Sequence, residues 1–292
     1  MNNKKCSVVS VIGRPSVGKS TFINTVCETK VSITSSVPQT TRNIIKGVYT
    51  DKRGQLIFID TPGLHNSEKS FNQHLKKITV NAVDDSDIIL YILDGTRKPA
   101  EEEKQIVDYI KHQTKPLVIC INKSDTMSEK DKEFYTAFIS DNFSLTNNHA
   151  VVLFCSALED EGIDEVLIEL FEKAKVGNLL YSEDVRTDQD LKFRIAEIVR
   201  EKAMNNTSEE IPHSLTAFVE EMDYYEDRKE VFIRIFIYVL TESQKAVLIG
   251  KNGTMIKNIR IQSFKEIKKI FSGMKLTLDI RVKVNKMWKK HF

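Results

Sequence analysis

A glycine-rich loop near the start of the chain has the residue types and spacing that bind nucleotide phosphates. It fits the pattern GxxxxGK[ST], follows the apolar run VVSVI and precedes a segment of helical character. Glycines let main-chain N–H groups surround phosphate oxygens, Lys19 can reach the terminal phosphates, and Ser20 can ligate Mg²⁺. The pattern therefore predicts a nucleoside triphosphate site rather than an ordinary glycine-rich turn. The predicted phosphate-binding residues are Gly13, Arg14, Pro15, Ser16, Val17, Gly18, Lys19, Ser20 and Thr21.

A second short motif, DTPG, ends the apolar run QLIFID further along the chain. A carboxylate at the end of such a strand can hold Mg²⁺ through water, and the N–H of the last glycine can contact the γ-phosphate. Alone, the motif would indicate only a turn, but its place after the phosphate loop favours a γ-phosphate sensor. We therefore assign four further residues to the nucleotide site: Asp60, Thr61, Pro62 and Gly63.

Between these motifs, residues 34–43 form a polar stretch that contains the sequence QTTR. Such a stretch suits a segment that rearranges around bound nucleotide and whose threonine completes the ligand shell of Mg²⁺. Thr41 is the predicted ligand beside Ser20 and Asp60, and Thr40 stays open as the alternative. A solvated loop with no part in binding is the competing interpretation. The predicted catalytic residues are Lys19, Thr40, Thr41, Asp60 and Gly63.

Two motifs in the middle of the chain predict recognition of guanine. Asn122, Lys123 and Asp125 follow the apolar run PLVICI, and Ser156 and Ala157 follow the run AVVLFC. The Asp125 carboxylate can accept hydrogen bonds from guanine N1–H and the 2-amino group, a donor pair that adenine lacks, so we expect GTP to be strongly preferred over ATP. The N–H of Ala157 is predicted to lie near guanine O6. Each motif alone is a weak signal, but in this order at strand ends they reinforce each other.

The apolar runs predict the scaffold that positions these motifs. Across residues 1–175, short β-branched runs alternate with helix-length segments, which is typical of a doubly wound α/β domain with a mostly parallel sheet. Asp51 and Gly54 indicate a hairpin and hence one antiparallel edge strand. Residues 176–188 lack regular periodicity and are assigned to a linker. Residues 189–292 show the order α-β-β-α-α-β, which predicts a small three-stranded α+β domain.

Charge is distributed unevenly along the chain. Residues 243–292 contain 13 Lys and Arg against Glu266 and Asp279, a net charge of +11. Because the whole chain carries +2, residues 1–242 carry −9. This segregation indicates a polyanionic partner for the carboxy-terminal part, either nucleic acid or a membrane surface.

A GxxG sequence lies inside this basic region, between two predicted helices. Alone it is expected by chance, but its inner residues are polar or basic and the second helix carries several Lys and Arg. This context matches the KH module, whose GxxG loop clamps the backbone of single-stranded nucleotides. A merely solvated helix face is the competing interpretation, and Ile256, Ile259 and Phe264 are predicted to form core. The predicted RNA-binding residues are Gly250, Lys251, Asn252, Gly253, Lys257, Arg260, Lys283 and Lys286.

Composition excludes several classes of protein. The 4 cysteines are scattered without a CxxC pair, which fits reduced thiols better than disulfides or a zinc site. The amino-terminal apolar run is too short for a secretion signal, and the most apolar stretch, residues 231–240, is shorter than the roughly 20 residues of a membrane span. No coiled coil is indicated. We therefore expect a cytoplasmic monomer.

Taken together, these motifs resemble the Era family of bacterial P-loop GTPases, which carry a type II KH domain. The likeness extends over residues 7–286 and includes GRPSVGKST, PQTTR, DTPGLH, NKSD, CSA, REKAM and VLIGKNGTMIKNI. It implies a GTPase that hydrolyses GTP to GDP and assists assembly of the small ribosomal subunit by binding the 3′ end of 16S rRNA in the 30S precursor. It also implies a loose association with the cytoplasmic face of the cell membrane.

Three features depart from the family or its relatives. Ser16 stands where the family usually has an asparagine that helps bind a monovalent cation in potassium-stimulated relatives, so we do not expect activation by K⁺. Leu64, also assigned to the nucleotide site, stands where many related enzymes have a water-positioning glutamine, so we expect slow intrinsic hydrolysis. Some relatives extend beyond the position of Phe292, and we expect the RNA contacts made there either to be missing or to be replaced by Lys286, Lys289 and Lys290.

Two functions of other classes compete with an RNA-binding GTPase. One is an RNA-binding scaffold with a vestigial nucleotide pocket, which the intact Lys19, Ser20, Asp60 and Asp125 argue against. The other is a membrane-surface GTPase whose basic tail binds anionic lipid, which the GxxG loop argues against.

Overall fold

The computed structural model describes residues 4–35, 44–63, 70–143 and 151–288. The chain forms two compact units, and the main division between them falls between Asp188 and Gln189. Each unit has its own sheet.

The first unit is built on a six-stranded sheet. Its strands are β1 (Lys5–Ile12), β2 (Ile45–Asp51), β3 (Gly54–Asp60), β4 (Ile88–Asp94), β5 (Leu117–Asn122) and β6 (Val151–Cys155). They lie in the order β2-β3-β1-β4-β5-β6; β2 is antiparallel to β3, and the other pairs are parallel. Every residue of β3, β4 and β5 is buried, which is the pattern of strands covered on both faces.

Helices of the first unit connect and cover these strands. They are α1 (Lys19–Val26), α2 (Ser70–Asp84), α3 (Glu101–Lys111), α4 (Glu129–Asn142) and α5 (Ile163–Lys173). Because parallel strands end at the same edge of a sheet, β1, β3, β5 and β6 bring four of the sequence motifs to one edge.

Residues 176–188, which we call the strap, continue from α5 along the sheet of the first unit. Buried Gln55 of β3 accepts hydrogen bonds from the N–H groups of Leu180 and Tyr181, both at 3.0 Å, and donates to the Tyr181 carbonyl at 3.0 Å. The Val48 N–H of β2 donates to the Arg186 carbonyl at 2.9 Å. The segment predicted to be a linker is therefore hydrogen-bonded to the two strands at the β2 end of the sheet.

The second unit contains a three-stranded sheet in the order β7-β8-β9. Its elements are α6 (Leu191–Asn205), α7 (Ile211–Ser214), β7 (Thr216–Tyr225), β8 (Glu230–Val239), α8 (Glu242–Ile249), α9 (Thr254–Ile270) and β9 (Lys275–Val284). β7 pairs with β8 in antiparallel fashion, and β8 pairs with β9 in parallel. Alternate residues of β8, from Val231 to Val239, join α6, α8 and α9 in one hydrophobic core.

The predicted fold class is confirmed: an α/β unit with a mostly parallel sheet precedes a small α+β unit. The sequence pattern did not indicate α7, which has only 4 residues and so shows no periodicity. Phe264 was wrongly predicted to be core, because its side of α9 leaves it 37% exposed. Among the described residues, no helix combines the length and apolar character that crossing a bilayer requires.

Candidate nucleotide and RNA sites

The phosphate loop joins the end of β1 to the first turn of α1. Gly18 adopts a left-handed conformation, and α1 begins without a side-chain cap, so its first N–H groups face the loop. Lys19 is buried, and its ammonium donates to the carbonyls of Gly13 at 3.0 Å and Arg14 at 2.9 Å. Burial lowers the pKa of Lys19 to about 8, against the opposing influence of Asp60. The loop therefore holds a desolvated cation that an anionic ligand would stabilise.

Ser20 and Asp60 lie together behind the loop. The Ser20 hydroxyl donates to Asp60 Oδ2 at 2.6 Å, and the Asp60 side chain is completely buried. A hydroxyl and a carboxylate are the hard oxygen donors that Mg²⁺ prefers. The two predicted ligands from separate motifs are thus adjacent, and their chemistry fits magnesium.

The DTPG residues pack against the phosphate loop. A Cβ atom added to Gly63 would lie 2.6 Å from the backbone nitrogen of Pro15, so glycine is needed for this approach. The Thr61 hydroxyl donates to the Val11 carbonyl at 2.7 Å and ties the motif to β1. Pro62 is buried beside it and its carbonyl accepts from Thr79 at 2.9 Å.

Asn122 links the guanine motifs to the phosphate loop. Its Nδ2 donates to the Val17 carbonyl at 2.8 Å, and its Oδ1 accepts from the Ala157 N–H at 2.9 Å. A Cβ atom on Gly18 would lie 2.2 Å from Asn122 Nδ2, which explains a second glycine in the loop. Buried Ser156 precedes Ala157, and its N–H donates to the Glu161 carbonyl at 2.8 Å.

The Ala157 N–H donates to Asn122 because the ends of β5 and β6 are adjacent. Its contact with guanine O6 stays a prediction. Asp125 lies exposed in a single helical turn after β5, and within the described part of the chain no hydrogen bond engages its carboxylate. It is therefore available to a base.

Asp94, which sequence reasoning missed, supports Lys123. Asp94 Oδ2 lies 2.7 Å from Lys123 Nζ, and Asp94 Oδ1 accepts from the Thr96 N–H at 3.0 Å. Although burial acts to raise it, the bonds from Lys123 and Thr96 hold the pKa of Asp94 below its ordinary value. An aspartate that ends the apolar run DIILYIL was the available signal.

Several predicted residues are placed differently or not described. The Arg14 guanidinium points into the protein and pairs with Glu103, so only the main chain of Arg14 can serve phosphate. Ser16 is exposed with φ +64°. Thr21 belongs to the first turn of α1. Thr40, Thr41 and Leu64 lie outside the described residues.

The GxxG loop of the second unit lies between α8 and α9. Gly250, Asn252 and Gly253 all have positive φ, and the side chains of Lys251 and Asn252 are exposed. A Cβ atom on Gly253 would meet no described atom within 4 Å, so this glycine is required by its φ of +75° and leaves open space above the loop. Lys257 is exposed on the following helix.

Lys283 does not join this loop. Its ammonium lies 3.5 Å from the centre of the Phe236 ring, and Phe236 alternates along β8 with the residues that face the helices. Because strand side chains point to opposite faces in turn, Lys283 lies on the sheet face away from α9, so the structure does not bring it together with the GxxG residues. Lys286 is exposed in the turn after β9.

A groove that sequence reasoning missed runs between α9 and β9. It has a volume of about 510 Å³ and is mainly apolar. The residues that line it are Arg260, Ile261, Phe264, Lys265, Leu276, Thr277 and Leu278. Only Arg260 among these was predicted to contact RNA, because exposed apolar residues on a basic helix give no distinct sequence signal.

Two family models match the chain. The model for the 50S ribosome-binding GTPases matches residues 8–123, and the KH domain model matches residues 210–289.

Curated proteins and solved structures are similar over nearly the whole chain. The chain is 46% identical to GTPase Era of Treponema denticola, over 97% of this chain and 95% of that protein. A crystal structure of Era with MgGDPNP and nucleotides 1506–1542 of 16S ribosomal RNA has a TM-score of 0.91 at 32% identity, covering 98% and 96% of the two chains. A single-residue variant of Aquifex aeolicus Era bound to GDP·AlF4⁻ gives 0.90 at 32% identity, with the same coverage.

Proposed function

This chain belongs to the Era family of GTPases, and on that basis we propose that it hydrolyses GTP at the sheet edge described above and couples the nucleotide state to RNA binding by the second unit. The observation that carries the nucleotide assignment is the convergence of residues from separate strand ends. The Ser20 hydroxyl donates to Asp60, whose charge also acts on Lys19, while Asn122 bridges the phosphate loop and the β6 end. We assign the GTPase activity to residues 1–175 with the strap, and RNA binding to residues 189–292.

Magnesium is the metal that the donor set fits, and the MgGDPNP complex of an Era structure supports its use here. Ser20 and Asp60 would hold it, with Thr41 as the third proposed ligand. When bound, Mg²⁺ neutralises charge on the phosphate oxygens. No role for K⁺ is proposed, because Ser16 offers a shorter side chain than asparagine.

Each protein group has a defined part in binding and hydrolysis. The Lys19 ammonium, oriented by its bonds to the carbonyls of Gly13 and Arg14, has a further N–H to donate to the phosphate oxygens, and the N–H groups at the start of α1 complete the cradle. The Asp125 carboxylate accepts from the guanine edge and selects against adenine. The Gly63 N–H contacts the γ-phosphate. Since Leu64 cannot orient water, hydrolysis depends on a partner or on main-chain groups.

The RNA ligand we propose is the single-stranded 3′ end of 16S rRNA in the precursor of the small ribosomal subunit. Support comes from the similar Era structure that contains nucleotides 1506–1542 and from the KH match over residues 210–289. The GxxG loop, Lys257, Arg260 and the adjoining groove are the proposed contacts. We propose a monomer that acts in the cytoplasm.

Calorimetry with GTP and ATP in the presence of Mg²⁺ tests the nucleotide assignment. We expect heat with GTP and much weaker binding of ATP; equal binding of both would overturn the nucleotide assignment.

Filter binding with a 3′-end 16S rRNA oligonucleotide, in GTP, GDP and no nucleotide, tests whether the nucleotide state is coupled to RNA binding. Identical affinities in all three states would refute coupling while leaving RNA binding intact.

Binding to anionic membranes is the second candidate, favoured by the net charge of +11 over residues 243–292. Flotation with anionic vesicles, at the same salt concentration as the RNA assay, distinguishes membrane binding from RNA binding. Vesicle binding without RNA binding would favour the membrane as partner.

A further inference from the structure

A buried ion pair lies directly behind the phosphate loop. The Arg14 side chain is 4% exposed and the Glu103 side chain 1% exposed, and Arg14 Nε contacts Glu103 Oε2. None of the nucleotide-binding motifs contains Glu103, which belongs to the first turn of α3. The loop is thus attached by a charged side chain to a helix that contributes nothing else to the predicted site.

The surroundings of Glu103 favour a fixed carboxylate. The hydroxyl of fully buried Tyr91 donates to Glu103 Oε1 at 2.6 Å, while Glu103 Oε2 contacts Arg14 Nε as an ion pair without hydrogen-bond geometry. The start of α3 adds a positive helix end, which stabilises a negative charge. Burial raises the pKa of Glu103, and the contacts with Tyr91 and Arg14 oppose that rise.

Arg14 also connects its ion pair with Glu103 to Lys19, the residue predicted to bind phosphate. The carbonyls of Arg14 and Gly13 accept from the Lys19 ammonium at 2.9 and 3.0 Å, so the peptide that carries the Arg14 side chain also orients the lysine. A Cβ atom on Gly13 would lie 2.3 Å from the Ile92 carbonyl, so the loop main chain is closely packed on β4. The side chain of Arg14, the residue after Gly13, attaches the loop to α3.

We propose that Glu103 is a positioning residue for GTP: by holding the Arg14 guanidinium from behind, it keeps the main-chain cradle and Lys19 in the geometry that binds phosphate. The inference rests on the proposed function of this site. Buried ion pairs are weak sources of stability, since apolar residues of similar volume often replace them at no cost. A geometric role accounts for the placement of this pair against the loop.

Comparing single and double variants separates positioning from stability. Glu103→Leu leaves the Arg14 charge buried without its partner, so we expect a lower melting temperature and weaker binding of GTP. Arg14→Met combined with Glu103→Leu removes both charges, and we expect the melting temperature to recover. If Glu103 positions the loop, the double variant still binds GTP about tenfold or more weakly, because small misplacements are costly at such sites.

A spectroscopic measurement reports on the loop itself. The ³¹P shift of the β-phosphate of bound GDP depends on the cradle around it, so we expect it to move in the double variant. Wild-type affinity together with a wild-type ³¹P shift in the double variant would overturn the proposal. Should the double variant not fold, the near-isosteric Glu103→Gln decides by the same two readouts: a changed shift with weaker binding supports positioning, and unchanged values overturn it.

The second unit offers a matched control. Arg200 donates to both oxygens of Glu197, at 2.6 and 2.7 Å, inside α6. We expect Arg200→Met combined with Glu197→Leu to leave GTP affinity and the ³¹P shift unchanged; an equal loss of affinity would show that ion-pair removal acts through general stability and would overturn the proposal. If the wild-type protein does not bind GTP, the proposed function is wrong. If the wild-type protein binds GTP and the Arg14→Met and Glu103→Leu double variant has the same affinity and the same ³¹P shift, only the positioning role of Glu103 is wrong.

Discussion

The proposed nucleotide site and the proposed RNA site differ in how far their polar side chains are buried. Lys19, Asp60 and Asn122 are buried and bonded to other elements, whereas Lys251 and Lys257 are exposed around an open glycine loop. In a buried site each polar group acts in a low dielectric and depends on its neighbours, so removing one group causes a large loss of binding free energy. Exposed cations act nearly independently and are screened by salt. Substitutions should therefore have large effects in the first unit and graded effects in the second.

Lys19→Ala provides the largest expected effect. It removes the buried ammonium that we propose neutralises the terminal phosphates, and we expect turnover of GTP to fall about thousandfold, as for other preorganised charge-stabilising donors. Steady-state release of phosphate measures it, with circular dichroism to establish folding. Unaltered turnover would instead favour a vestigial pocket and an RNA-binding scaffold.

Asp125→Asn should change the preferred base. An amide presents a donor where the carboxylate accepted, so we expect the affinity for GTP to fall about a hundredfold and that for xanthosine triphosphate, which has a carbonyl in place of the 2-amino group, to rise. Competition binding with both nucleotides measures the switch. Retained preference for GTP would remove Asp125 from base recognition.

Lys257→Ala and Lys283→Ala form a matched pair in the second unit. Lys257 lies on α9 near the GxxG loop, and Lys283 lies over Phe236 on the other sheet face. We expect Lys257→Ala to weaken RNA binding about fivefold and to reduce the salt slope by about 0.7, the value for one contact with a single strand. Lys283→Ala should change neither quantity. Equal losses from both would place RNA on both faces of the sheet.

The pH dependence of GTP binding should reflect Lys19. With a pKa of about 8 in the free protein, the ammonium is mostly present below that pH and is lost above it. Phosphate stabilises the charged form, so we expect GTP affinity to fall about fourfold from about pH 7 to about pH 8.5. Calorimetry in buffers of different ionisation enthalpy should show proton uptake on binding above pH 8. A flat profile would mean that Lys19 keeps its ordinary pKa.

Ser16→Asn should have the smallest effect. The residue has φ +64°, a conformation that asparagine tolerates well, so the change should not disturb the loop. We expect hydrolysis in K⁺ to exceed that in Na⁺ by about twofold in the variant, since amide oxygens can ligate hard cations. Wild-type protein should show no such difference, and stimulation of wild type by K⁺ would contradict the role given to Ser16.

The residues proposed for the nucleotide site could be selected from the sequence because its motifs are contiguous. Gly13 to Ser20 and Asn122 to Asp125 each combine spacing with a flanking strand, so their position at one sheet edge follows from parallel topology. Asp94 and Glu103 escaped notice because their roles depend on partners brought close by folding. In the second unit, the GxxG loop was predictable, whereas the orientation of Lys283 depends on strand register.

The strap also affects whether a fragment that contains only the first unit would self-associate. β2 is at one end of its sheet, and a bare strand edge invites pairing with other chains. The Arg186 carbonyl covers the Val48 N–H, and the backbone of Tyr181 satisfies the amide of buried Gln55. A fragment cut after residue 175 should therefore self-associate, whereas one cut after Asp188 should remain dispersed.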